Sequence, residues 1–221
     1  MDNSVKLYLG RFTGKQLFLI LLPVFLVAST YFAFQYFCTI WGLKVRYLAG
    51  FLFYWIVWCI FAPLVLLEKK EIVGLFRKPE NGRYRWLNVV LLVIPCVFAI
   101  FGGPFLARLP KVTSEIAFLS FVIASVNAVG EEVLWRGVYC HYFQQPVMGL
   151  VFPLIGFAVW HVSPNSVNPS SYGVPLFVLF SGILGIFWGI VAYRTKSIRW
   201  TLLSHIIVDL SGFGAMFYLS Q

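Results

Sequence analysis

The chain has 221 residues, 60% of them hydrophobic and only 11% charged, with a formal net charge of +9. A soluble domain carries about 25% charged residues, so the composition excludes an ordinary water-soluble enzyme, and the chain is far longer than a single membrane anchor. The positive charge does not mark a nucleic-acid partner, because the basic residues sit in short segments between apolar runs, where they mark one side of a membrane protein.

About twenty apolar residues cross a bilayer, and the chain offers seven such stretches: residues 16–40, 47–67, 86–107, 115–143, 147–162, 174–194 and 198–219. The expected fold class is all-α, a polytopic membrane helix bundle of about seven transmembrane helices. The first stretch is too long for the core of a secretory signal peptide, which needs about 7–15 apolar residues, and reads as a retained span. The fourth is longer than a bilayer requires and the fifth is short. In the sixth, Ser181, Gly185 and Gly189 recur every fourth residue, a stripe of small side chains that lets helices approach closely.

Lysines and arginines set the orientation. With the N-terminus inside, the inner segments hold Lys6, Arg11, Lys15, Lys69, Lys70, Arg77, Lys78, Arg83, Arg85, Arg194, Lys196 and Arg199, against Lys44, Arg46, Arg108 and Lys111 outside. The uncharged segment 162–173 then faces outward. Cys38, Cys59, Cys96 and Cys140 lie in or beside apolar runs without a C-x-x-C pair, which points to buried small hydrophobes rather than a disulfide framework or a cysteine metal site.

The fourth stretch carries Glu131, Glu132 and Arg136 side by side. Each charge at mid-bilayer costs roughly 2.5–3.5 kcal/mol on insertion scales, and ionisable residues kept there mark a functional site by default. Glu132 and Arg136 are four apart and share a face, so they can pair. Glu131 lies about 100° round the helix from Glu132, with Asn127 four residues before it. All three histidines fall in late spans, His141, His161 and His205, and Asp209 follows His205 by four. At 1.5 Å per residue Glu131 lies roughly 18 Å from the inner end of its span and His161 roughly 21 Å from that of its own, so their depths agree. His205 lies only about 9 Å beyond Arg199. Either a tilted last span or a loop that dips into the bundle is needed to bring it level.

Three segments in order carry a family resemblance. Glu131-Glu132-Val133-Leu134-Trp135-Arg136 reads E-E-x-x-x-R, Phe157-Ala158-Val159-Trp160-His161 reads F-x-x-x-H, and His205-Ile206-Ile207-Val208-Asp209 reads H-x-x-x-N/D. Together they resemble the CPBP family, the CAAX proteases and bacteriocin-processing enzymes also called Abi, over about 115–210. The resemblance implies an intramembrane glutamic endopeptidase that cleaves a membrane-associated peptide or protein: a leader peptide, a pheromone or a CAAX-like substrate. It implies that Glu131 activates a water, that His161 holds the water and moves its proton, and that His205 and Asp209 line the oxyanion site. Glu132 and Arg136 take a supporting role, and Asn127 joins them on the face of Glu131. On this reading residues 1–114 form an N-terminal three-helix part and 115–221 a catalytic four-helix part of one integrated membrane domain.

The residues suit the chemistry. Peptide hydrolysis needs a base for water, an acid for the leaving amine and donors for the oxyanion. A desolvated glutamate can take a proton and hand it on, and histidine relays protons near neutral pH. Asp209 is the awkward member, since an ionised carboxylate accepts hydrogen bonds and cannot donate them. It either carries a proton or orients its neighbours. No cofactor is expected, with a zinc site on Glu131, His161 and His205 as the alternative. The expected partners are the substrate and the lipid bilayer, with no nucleic acid. The expected location is the plasma membrane, multi-pass, of a bacterium, since no extra domain or targeting extension is visible. The alternative function is a non-proteolytic immunity or regulatory protein on the same fold. A transporter is a third class, but the internal repeats usual there are not visible.

Overall fold

A computed structural model describes residues 12–40, 43–79, 85–102, 105–170 and 172–217, with the side chains of 43–46, 108, 111 and 213–217 left aside. Of the basic residues that set the orientation, Lys6, Arg11 and Arg83 lie outside the described residues, as do the side chains of Lys44, Arg46, Arg108 and Lys111.

The described residues are predominantly helical and contain no strand. Helix α1 spans Gly14–Ile40. Helix α2 runs through Leu43–Phe53, Tyr54–Phe61 and Ala62–Leu66, and a short α3 covers Lys69–Leu75. Then follow α4 (Arg85–Phe101), α5 (Ser114–Tyr142), α6 (Val147–Asn165), α7 (Val174–Thr195) and α8 (Arg199–Phe217). Seven of these occupy the seven predicted stretches, and the chain is a polytopic helical bundle. Five helices are long and apolar enough to cross a membrane by themselves, while α4 is shorter, at 17 residues. Helix α8 is continuous and carries Arg199, His205 and Asp209 in its sequence.

Helix α3 was not expected, because a segment opening on Lys69-Lys70-Glu71 shows no apolar run. It forms through a reciprocal capping box: the Glu68 side chain accepts from the Glu71 backbone, and the Glu71 carboxylate accepts from the Glu68 N–H at 2.7 Å, which satisfies two otherwise orphaned donors.

Three stretches wind as π-helix: Tyr54–Phe61, Glu132–Val138 and Val147–Val151. The first and third run directly into helical turns that open with Pro63 and Pro153. Proline lacks the N–H of the normal turn and its ring pushes away the carbonyl four residues earlier, so the turn before it widens. The middle one contains the charged pair of α5, and such widened turns recur at functional sites.

The bundle is apolar outside and polar at its centre. The outward faces of α1 and α4 expose Val24, Phe25 and Phe32, and Val97, Phe98 and Phe101, a surface suited to lipid rather than water. The centre buries Asn127, Glu131, Glu132, Arg136 and His205, each at 3% exposure or less. Helix α8 lies chiefly against α5 and α4, α6 against α7 and α1, and α1 against α2. Close approach at the key crossing depends on Gly130, where an added Cβ would stand 2.8 Å from Cys59 Cβ. A side chain there would push α2 away from Glu131. In the small-residue stripe, Gly185 meets Leu154 and Phe157, and Gly189 meets Leu150, so the stripe seats α6 against α7.

Candidate active site

His205 sits level with the glutamates because the loop before it is pulled into the bundle. Thr195, Ser197 and Ile198 are buried. Ile198 N–H donates to Leu75 O at 2.9 Å, and Ser197 Oγ donates to Arg77 O at 2.7 Å. Helix α3 and the turn after it thus hold the 195–198 segment against the bundle. The 195–198 loop packs into the bundle, as one of the two ways to close the depth gap requires.

One imidazole bridges both glutamates. His205 Nδ1 is 3.0 Å from Glu132 Oε1, while Nε2 is 3.4 Å from Glu131 Oε2 and 3.5 Å from Asp209 Oδ1. Carboxylate oxygens only accept, so satisfying both sides at once takes both ring protons. The ring is held flat by Trp188, stacked at 3.9 Å between centroids. Trp188 is fixed in turn, its Nε1 donating to Ser204 Oγ at 3.0 Å and Ser204 donating to Leu92 O at 2.8 Å.

Glu132 is fully enclosed. Thr201 Oγ1 donates to its Oε2 at 2.6 Å, and Arg136 Nη1 stands 3.4 Å from Oε1. The expected pairing of Glu132 with Arg136 is present as an ion pair but not as a bidentate hydrogen bond: neither Nη of Arg136 has a hydrogen-bond partner among the described residues. The guanidinium instead lies over the Phe157 ring at 4.0 Å, with Trp188 at 5.5 Å, an aromatic seat that offsets part of the burial cost of a cation.

Glu131 has a different setting. Tyr54 O–H donates to its Oε1 at 3.2 Å, and Trp135 Nε1 donates to the Tyr54 hydroxyl at 2.9 Å. The tyrosine proton is thereby aimed at the carboxylate. Tyr54 is steadied by Trp160, stacked at 3.7 Å. The other oxygen, Oε2, faces His205.

Asp209 acts as an acceptor. Asn127 Nδ2 donates to its Oδ2 at 2.8 Å, while Trp55 Nε1 donates to Asn127 Oδ1 at 2.9 Å. Because an indole N–H can only donate, the asparagine amide has one orientation, with its NH₂ toward Asp209.

A cavity of about 170 Å³ opens among these groups, lined by Asn127, Glu131, His161, His205 and Asp209, with Phe157 and Trp160 as part of its apolar wall. His161 Nδ1 is 2.7 Å from Phe157 O. A carbonyl accepts, so Nδ1 carries the proton and Nε2 is left with its lone pair. Glu132 and Arg136 do not line this cavity.

The structure therefore gathers Asn127, Glu131, His161, His205 and Asp209 at one cavity and sets Glu132 and Arg136 behind it. His141 stands apart, its Nε2 3.3 Å from Glu71 Oε1 of α3. Among the described residues no group of His, Cys, Asp and Glu is arranged as a metal site, and His205, one ligand of the zinc alternative, has a carboxylate at each ring nitrogen. Sequence reasoning missed Tyr54, Trp55, Trp188 and Thr201. In apolar helices tyrosine and tryptophan look like packing, and nothing local marks the distant glutamate they serve.

Residues 113–211 match the family described as type II CAAX prenyl endopeptidase, Rce1-like. The match runs from the N-cap of α5, Thr113, through all three motifs. No curated protein and no solved structure matches the chain.

Proposed function

We propose, from the match of residues 113–211 to the type II CAAX prenyl endopeptidase, Rce1-like family of CPBP membrane proteases, that this protein hydrolyses a peptide bond inside the membrane with Glu131 as general base. One observation carries the reading. Of two adjacent buried glutamates, one is wholly enclosed by protein donors, and the other borders a cavity shared with two histidines.

The steps follow from the donors and acceptors. A water in the cavity gives a proton to Glu131 as its oxygen attacks the scissile carbonyl. Tyr54 holds one carboxylate oxygen by hydrogen bond, which leaves Oε2 for the proton. His161 Nε2, with its lone pair facing the cavity side, accepts from the same water and fixes its direction of attack. The protonated Glu131 then donates to the leaving amine, so one carboxylate serves as base and acid in turn. The negative charge that grows on the carbonyl oxygen needs donors. His205 supplies its Nε2–H, which turns from Glu131 Oε2 to the oxyanion once that oxygen has taken the proton of the water. Asp209 supplies none, and acts by orienting its neighbours. We assign the amide donor to Asn127: Asp209 takes one of its two N–H hydrogens, and the other serves the oxyanion. Glu132 and Arg136 keep His205 in place. All of these groups are side chains, and the scheme uses no metal.

Substrates that fit the family and the intramembrane cavity are peptides presented at the bilayer: leader peptides, pheromone precursors, or prenylated C-terminal segments. A bacterial plasma membrane is the proposed location. The test is Glu131→Gln in the purified full-length protein, reconstituted in bilayers and assayed on a lipidated peptide, with insertion checked in parallel. Cleavage should fall by about 10²–10⁴-fold, the span ascribed to a positioned general base. Wild-type cleavage by a correctly inserted variant sinks the mechanism. A wild-type protein whose cellular phenotype survives both Glu131→Gln and His161→Ala is a regulator instead.

A further inference from the structure

A second opening lies on the outer side of α8, away from the proposed active site. It is a groove of about 640 Å³ between α4, α7 and α8. Its two ends differ in chemistry. One end carries Lys78, Arg85 and Arg199, all exposed. Arg85 and Arg199 open α4 and α8, and Thr195 closes α7 beside them, so the cations stand at one level at the end of the bundle. No carboxylate is among the described residues that line the groove. The rest is mainly apolar: Val89, Leu92, Val93, Leu203 and Ile207 form its length. Ile207 is eight residues past Arg199, which places it about 12 Å deeper along the helix.

Trp86 and Trp200 follow the two arginines directly and are exposed at 67% and 47%. Tryptophan gathers at the level of lipid headgroups, so the cationic mouth lies where phosphates lie. The inner-facing charge bias of the sequence puts that mouth on the cytoplasmic side. One turn inward, Asn88 also lines the groove, and its buried Oδ1 has no hydrogen-bond partner among the described residues. A buried amide oxygen without a donor is unusual. It calls for a ligand with a hydroxyl or amine to give.

We propose that this groove is a binding site for one anionic phospholipid with a hydroxyl-bearing headgroup, of the phosphatidylglycerol type. The phosphate sits among Lys78, Arg85 and Arg199, a headgroup hydroxyl donates to Asn88 Oδ1, and an acyl chain lies along Leu92, Leu203 and Ile207. Basic pockets between membrane helices on the cytoplasmic side select acidic headgroups in this way. The floor of the groove includes Ser204, which accepts from Trp188, the ring stacked on His205. A bound lipid therefore touches the residue that fixes the platform of the proposed active-site histidine. The site stands independently of proteolysis, since no peptide enters into its recognition.

The experiment reads retained lipid by native mass spectrometry on full-length protein extracted from bilayers of equal phosphatidylglycerol and phosphatidylcholine. The wild type should retain one phosphatidylglycerol in preference to phosphatidylcholine. Each of Lys78→Gln, Arg85→Gln and Arg199→Gln should lower that preference about five-fold, the strength of one basic residue near an anionic surface. Leu203→Trp fills the groove while keeping every cation, and should abolish retention of either lipid. Equal retention of both lipids by the wild type, or undiminished phosphatidylglycerol in Leu203→Trp, overturns the proposal. So does displacement of the lipid by a stoichiometric lipidated peptide, which makes the groove a substrate channel.

Discussion

Two neighbouring carboxylates on one helix end up in opposite surroundings. At the Glu132 end Thr201 and His205 donate, Arg136 stands at ion-pair distance, and the side chain is fully buried behind the cavity. At the Glu131 end Tyr54 holds one oxygen, His205 Nε2 stands 3.4 Å from the other, and the side chain borders the cavity with His161. The lesson is that burial alone does not make a reactive carboxylate. A charge enclosed behind the cavity is a strut; the same group at the cavity wall is available for chemistry.

The sharpest way to break this comparison is to neutralise each side separately. Glu131→Gln keeps shape and volume and should cost activity, about 10²–10⁴-fold, with little change in the thermal unfolding of detergent-solubilised protein. Glu132→Ala should act first on stability. It strands Arg136 and His205 without their carboxylate, and removing one partner of a buried ion pair costs about 3–5 kcal/mol. The checks are a fall in apparent Tm and reduced recovery from membranes. Should the two substitutions give the same phenotype, the division of roles fails.

Asn127→Leu comes next. It removes the amide from Asp209 and from the proposed oxyanion position, and leaves the Trp55 N–H unpartnered. Loss of one oxyanion donor costs about 10²–10³-fold in kcat. The reading predicts that loss in kcat with KM little changed, and Asn127→Asp, which cannot donate when ionised, should fail equally.

Much of this was legible in the sequence, for physical reasons that are also the reasons the rest was not. Span positions were, because a bilayer demands long apolar runs. The grouping of Glu131, Glu132 and Arg136, and of His205 with Asp209, was, because helical spacing puts fourth neighbours on one face. The depth of His205 was legible only as a conflict. Its resolution needed Ile198 N–H to find Leu75 O across the bundle, a contact between segments far apart in the chain. Tyr54 and Trp55 escaped for the same cause: their polar atoms serve residues on α5, and in α2 their rings read as apolar. Helix α3 escaped because capping, rather than hydrophobic periodicity, makes it.

The smallest expected effects give the finest test of the comparison, because two substitutions can remove one hydroxyl donor from each glutamate. Thr201→Val is isosteric and deletes the O–H that Oε2 of Glu132 accepts. Tyr54→Phe deletes the O–H that Oε1 of Glu131 accepts, together with the acceptor for Trp135 Nε1. A hydrogen bond to a charged group is worth about 1.5–3 kcal/mol, so by energy the two losses are alike. They should be read out differently. At Glu132 the lost bond weakens a strut, so Thr201→Val should lower Tm and leave kcat near wild type at temperatures where the protein stays folded. At Glu131 the lost bond frees the carboxylate to turn, so Tyr54→Phe should lower kcat by about ten-fold or more, since 1.4 kcal/mol of lost positioning corresponds to a factor of ten. Because it also orphans the Trp135 N–H, Tyr54→Phe should lower Tm as well. The comparison therefore rests on kcat alone: a Thr201→Val enzyme as slow as Tyr54→Phe would mean that the enclosed carboxylate, too, takes part in the chemistry.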